Sequence, residues 1–143
     1  MVIDGQGRPV QPHPISSAGW QQIYPQGLYD VLVRLRRDYA SPEVLITENG
    51  VPDDVSDSSQ PTADGARVDF LRRHLQALHK AIGEGSRVTG YHAWSLLDNF
   101  EWAAGYSQRW GLVQVDFNRL ARSSKASASW YSAVARNNSI PGD

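Results

Sequence analysis

From residue 27 onward the apolar positions alternate between two rhythms. Leu28, Val31, Leu32 and Leu35 recur at i, i+3, i+4 and i+7, with Arg34, Arg36 and Arg37 between them. One side of a helix is thereby turned to a core and the other to water. The helix should end near Tyr39, because Pro42 disfavours helical geometry in the residue before it. Val44 to Thr47 is a short apolar, β-branched run without alternation, which predicts a strand buried on both faces, as in a parallel sheet. A polar, proline-bearing loop, "VPDDVSDSSQPTADG", follows. Val68, Leu71, Leu75, Leu78 and Ile82 then return to helical spacing, and Gly83 and Gly85 are the terminators.

A second apolar strand is expected from Val88 to about Trp94. Strand, helix and strand then make a parallel unit. Residues 94–110 read as a long aromatic loop, "GLVQVDF" as a further strand-like piece, and Trp130, Tyr131 and Val134 as parts of a last helix. Residues 1–26 are rich in Gly, Pro, Gln and Ser and read as a loop or arm, which leaves 27–143 to the strand-helix units. The class is α/β.

The chain has 143 residues, 41% of them hydrophobic, enough for one compact core. The formal net charge of −1 has no basic stripe, so nucleic acid and anionic membrane are poor partners. The absence of cysteine removes thiol nucleophiles, disulfides and thiolate metal sites. No apolar h-region or bilayer-length run is present, and a soluble, cytoplasmic protein is expected. The sequon at Asn137-Asn138-Ser139 carries little weight without a secretory signal.

In parallel α/β sheets, chemistry gathers at the carboxyl ends of strands, where the loops converge. Glu48 stands at the end of the first predicted strand, in "VLITENG", and the aromatic loop stands at the end of the second. Taken alone, Glu48 is equally readable as a carboxylate capping a turn. The loop adds Trp94, Phe100, Trp102, Tyr106 and Trp110 beside Asp98 and Glu101. Flat aromatic faces next to hydrogen-bonding carboxylates match a sugar ring, which offers C–H groups to stack on and hydroxyls to bond. Core filling is the better reading for Phe100, and a local backbone bond for Asp98. His74 and His79, five apart on one helix, face different ways and read as surface or packing residues, and His92 lies within the second strand. "GEG" at 83–85 ends a helix and is no phosphate loop. No cofactor is implied.

"ITENG", followed by "GYHAWSLLDNFEWAAGYSQRWGLVQVDF", resembles the C-terminal part of family 1 glycoside hydrolases, the β-glucosidase family of (β/α)8 barrels. "GWQQIYPQGLYDVLVRLRRDY" and "RSSKASASWYSAV" extend the likeness over nearly the whole chain. The resemblance implies the last two barrel strands with their flanking helices, an incomplete barrel occupying 1–143. It implies a retaining mechanism in which Glu48 attacks the anomeric carbon. Glu101 would accept hydrogen bonds from the C4 and C6 hydroxyls, Trp102 would donate its indole N–H, and Trp94 would be the stacking platform. Trp110 stands where family members more often carry Phe or Tyr, a bulkier wall near C6, and Gln108 where Lys is frequent. The phosphosugar branch replaces the sugar-binding Glu and adds a Ser and Lys clamp, neither of which this sequence carries. An unphosphorylated β-glucoside or β-galactoside is therefore the expected substrate.

A retaining glycosidase uses two carboxyl groups roughly 5 to 5.5 Å apart. The family's acid/base lies in an Asn-Glu-Pro motif, which does not occur here. A whole barrel takes about 250 residues. The expectation is a nucleophile-bearing segment of a β-glucosidase, completed by an N-terminal barrel portion in cis or in trans. The alternative is an inactive truncated remnant, or a split-barrel subunit with at most weak sugar binding.

Overall fold

The computed structural model describes residues 2–10, 12–53 and 63–141. Part of the polar loop expected after the first strand, 54–62, lies outside the described residues. The chain opens with a hairpin, β1 (Val2–Ile3) against antiparallel β2 (Pro9–Val10), whose turn is held by the Asp4 carboxylate accepting from the backbone N–H groups of Gln6 and Arg8. Part of the arm expected at 1–26 is thus regular structure. A bridge between Ile15 and Gln22 folds the next stretch back on itself.

Helix α1 runs Pro25–Asp38, with proline in its first turn and Arg36 and Arg37 in its last. These positions suit a missing N–H at the start and the negative dipole end at the finish. Strand β3 is Val44–Asn49, two residues longer than its apolar run, so Glu48 and Asn49 belong to the strand itself. Helix α2 is Gly65–Gly83, and strand β4 is Val88–Ala93. β3 and β4 pair in parallel, from Val44 opposite Val88 to Asn49 opposite Ala93, with irregular register between Ile46 and Asn49.

β5 (Val113–Asp116) and β6 (Ala121–Ser124) form an antiparallel hairpin. β6 carries the sequence Ala-Arg-Ser-Ser, exposed throughout, and no apolar pattern announces it. Its backbone pairing alone makes it a strand. Helix α3, Ala126–Asn137, closes the chain.

Val44, Ile46, Val88 and Tyr91 turn one face of the two-stranded sheet onto a core built from Leu32 of α1, Leu75, Leu78 and Ala81 of α2, and Trp130, Tyr131 and Val134 of α3. A second cluster joins Val51, Phe70, Leu71 and Leu112. The other face of β3 is open: Leu45 is 51% exposed, and Thr47 and Glu48 are exposed. The expected burial on both faces is therefore corrected to burial on one. The physical reason is that β3 and β4 pair only with each other, and nothing among the described residues covers their far side.

The helix stripes also shift. Val31 is 56% exposed and Ile82 43%, whereas Arg67, Phe70, His74 and Ala81 are buried. An apolar stripe could not count a buried arginine or histidine, so the true inward face of α2 lies rotated from the one the leucines alone imply. The described piece is α/β, one parallel strand pair backed by helices, with no closed barrel.

Candidate functional site

Glu48 stands at the carboxyl end of β3 and is exposed, in the stretch where the pairing with β4 is irregular. Its successor Asn49 is fixed on three sides. It pairs with Ala93, its carbonyl accepts the Trp94 N–H at 2.9 Å, and its side-chain oxygen accepts the Tyr91 hydroxyl at 2.6 Å. Burial, and then the nearby Tyr131, push the Tyr91 phenol well above its ordinary pKa, so it remains a donor at neutral pH. Gly50 answers to a different constraint. A Cβ built there would sit 1.8 Å from the Trp94 carbonyl oxygen, so only glycine lets the two strand ends approach this closely. The Gly50 carbonyl in turn accepts from Gln21 at 2.8 Å, docking the N-terminal stretch behind Glu48.

The aromatic segment begins at Trp94, half-buried beside Asn49. The Ser95 N–H donates to the Trp110 carbonyl at 3.0 Å and the Leu112 N–H to the Ser95 carbonyl at 2.8 Å, which makes residues 95–112 a closed loop. Within it the Glu101 carboxylate accepts from the Asn99 amide at 3.0 Å and keeps partial exposure. Trp102 opens a short 3-10 turn, Trp102–Ala104, at a φ of 44°, and the residue is 83% exposed. The strand pairing thus puts Glu48 and Trp94 on adjacent strand ends, and Glu101 and Trp102 on the loop that leaves β4.

Trp110 is placed differently. It is 3% exposed, lies 6.3 Å from the Trp20 ring and donates its indole N–H to Gln108 at 3.2 Å, so it supports the loop from beneath. Phe100, expected in the core, is instead 58% exposed and meets Tyr106 edge-on at 5.4 Å. Neither residue has a sequence neighbourhood that distinguishes the two sides of an irregular loop. Asp98, expected to bond local backbone, is buried. Its oxygens accept from the N–H groups of Gly111 and Val115 at 2.9 and 3.2 Å, across the loop's closure. His79 and His92 are exposed, while His74 is buried and bonds the Phe70 carbonyl at 2.7 Å. Among the described residues no group of three or more His, Cys, Asp or Glu side chains is disposed to hold a metal ion.

Sequence reasoning missed a buried ionic lattice under the site. Arg67, its side chain 1% exposed, pairs with Asp64 and Asp53 and donates to the carbonyls of Val51 at 3.1 Å and Arg109 at 2.7 Å. Lys125, with a side chain fully enclosed, pairs with Asp53 at 2.7 Å and Asp98 at 3.1 Å. Asp64 precedes α2 but also accepts from the backbone N–H and hydroxyl of Ser127, so it caps α3 instead of its own helix. Arg109, 3.7 Å from Asp98, brings the cations level with the three carboxylates. The only signal in the sequence is that charged residues flank both helix starts, a pattern common on surfaces.

The family model of glycosyl hydrolase family 1 matches residues 5–140. The chain belongs to glycosyl hydrolase family 1. It is 46% identical over 128 residues to Beta-glucosidase A of Thermotoga maritima, covering 89% of this chain and 28% of that protein. It is 41% identical over 140 residues to the 6-phospho-beta-galactosidase of Streptococcus mutans, covering 96% and 30%. A solved structure of the Thermotoga maritima beta-glucosidase in complex with glucoimidazole superposes with a TM-score of 0.83 at 44% identity, over 92% of this chain and 30% of that one. This family 1 segment therefore spans under a third of the length of the relatives it matches.

Proposed function

We propose that this family 1 segment supplies the nucleophile and part of the sugar-binding wall of a retaining β-glycosidase acting on terminal β-D-glucosides or β-D-galactosides. The observation that carries the reading is the parallel pairing of β3 with β4, with Asn49 opposite Ala93 and Trp94 bonded to Asn49. It sets an exposed carboxylate beside an aromatic, hydrogen-bonding loop. Glu48 attacks the anomeric carbon as a second carboxyl group protonates the departing aglycone oxygen, and a covalent glycosyl-enzyme forms. Water, deprotonated by a second carboxylate, then attacks the same carbon and releases Glu48. Glu101, half-exposed and held by Asn99, reads the C4 and C6 hydroxyls; Trp102 donates its indole N–H, and Trp94 stacks on the ring.

The second carboxylate belongs to a polypeptide portion completing the barrel, in cis or in trans. The absence of an Asn-Glu-Pro triplet from these 143 residues favours a second reading for the chain by itself, a catalytically silent segment with at most weak sugar contact. Since a general acid contributes roughly 10² to 10⁴ in rate, the pure chain should give negligible turnover of p-nitrophenyl β-glucoside. The chain joined to, or mixed with, a completing barrel portion should give turnover that disappears in Glu48→Gln. Turnover by the pure chain that Glu48→Gln abolishes would refute the requirement for a partner. Turnover of the completed enzyme that survives Glu48→Gln would refute the nucleophile.

A further inference from the structure

We propose that Lys125 is a positioning residue for this chemistry, clamping the segment that follows Glu48 to the segment that carries Trp94, Glu101 and Trp102. The inference rests on the reading above and adds to it a residue from α3's threshold, far from either segment in sequence. The Lys125 ammonium has one carboxylate on each side. Asp53 lies five positions beyond Glu48 and is separately tied to the aromatic segment by its N–H donating to the Arg109 carbonyl at 2.9 Å. Asp98 lies between Trp94 and Glu101, and its bonds to the N–H groups of Gly111 and Val115, with Arg109 at 3.7 Å, close the loop that bears Glu101 and Trp102 and follows Trp94. The Lys125 backbone N–H bonds the Leu112 carbonyl at 3.0 Å, so the ammonium's own anchor is fixed to the same loop.

With its side chain fully enclosed, Lys125 can exchange neither partner for water without uncovering a buried charge. Two carboxylates facing one another across this gap would repel, and the cation converts that repulsion into a fixed separation. Arg67 also bridges the two segments, through the carbonyls of Val51 and Arg109, but its ion pairs are with Asp53 and Asp64, so the carboxylate of Asp98 is left to Lys125 and the more distant Arg109. One buried ammonium group thus joins the nucleophile's segment to the sugar-binding loop by charge, beside the backbone link from Asp53 to Arg109. A displacement of about 1 Å between reacting groups is enough to lower rate roughly 100-fold.

The test has a spectroscopic arm and a kinetic arm. The full chain is labelled with 5-fluorotryptophan, and fluorine spectra are compared for wild type, Lys125→Met, Lys125→Arg and Asp53→Asn, with Trp130 on α3 as the folding reference. The clamp predicts that Trp94 and Trp102 resonances move or broaden in Lys125→Met and Asp53→Asn while Trp130 holds, and that Lys125→Arg returns them. If Lys125→Met does not fold, Asp53→Asn decides. Unmoved Trp94 and Trp102 in a folded variant overturn the proposal, as does displacement of all tryptophans together in Asp53→Asn. In the completed enzyme, kcat for p-nitrophenyl β-glucoside should fall roughly 100-fold in Lys125→Met with KM within about threefold, and Lys125→Arg should recover most of it. A loss confined to KM overturns it. A wild-type completed enzyme without turnover would sink the proposed function and leave the fluorine result to decide the clamp.

Discussion

Gly50 is the residue on which the meeting of the two strand ends turns. Its Cα lies so close to Trp94 that a methyl group would overlap the Trp94 carbonyl oxygen at 1.8 Å, and backbone cannot swing aside as a flexible side chain would. Gly50→Ala should therefore cost roughly 3 kcal/mol, the upper end of the range for overpacking, and displace the start of the aromatic segment. Urea unfolding followed by tryptophan fluorescence measures the loss, and a change under 1 kcal/mol would mean the strand ends are not in contact. Arg67 poses the opposite case. Replacing it by Met removes a cation that serves Asp53 and Asp64 together and leaves both carboxylates short of a partner in a buried setting. A loss of about 3 to 5 kcal/mol is expected, readable in the same titration. Neither role is visible in sequence. "ENG" reads as a turn, and Asp64 as part of the polar loop before the helix, because local pattern carries no information about a backbone segment or a carboxylate brought in from far along the chain.

At the scale of elements, the sequence reading succeeds where periodicity is strong. Both early helices and both parallel strands stand within a few residues of their apolar runs, and Glu48 falls at the strand end as its neighbours required. It falters where burial is polar or where pairing alone makes the structure. The inner face of α2 includes His74 and Arg67, and β6 is a strand with no apolar residue to mark its inward side beyond Ala121. His74 also gives α2 a pH dependence. Its pKa lies below the ordinary value chiefly because burial disfavours the imidazolium, with Arg73 adding to the effect and the bond to Phe70 opposing it. In the window between the lowered folded value and the ordinary value near 6.5, the unfolded chain binds more protons than the folded one. Stability is thus complete above that window and declines as pH falls through it. The urea midpoint should drop from pH 7.5 to pH 5, and the drop should shrink in His74→Leu. An identical pH profile in the variant would place the dependence elsewhere.

At the scale of the whole molecule, the exposed surface and the shape of the sheet lead to the same expectation. A two-stranded sheet has two unpaired edges, and among the described residues β3 and β4 have only one another. Such an edge invites pairing with another strand, and a sheet of fewer than three strands relies on what packs against it. The helices cover one face. On β3, and along the loop that leaves β4, Leu45 is 51% exposed, Leu96 68%, Phe100 58% and Trp102 83%, large apolar side chains left to water. The relatives extend well beyond this segment, which covers 28% to 30% of them, and under the proposed function the portion that completes the barrel is the occupant of this surface. A partner that binds only the folded segment stabilises it by RT ln(1 + [L]/Kd), about 2.7 kcal/mol when the partner is at 100 times its Kd. Titrating a separately expressed completing portion into the chain should raise the unfolding midpoint progressively with concentration, and the rise should weaken in Leu45→Lys, which sets a charge on the open face. A midpoint indifferent to the added portion would show that the exposed face of β3 and β4 does not receive it.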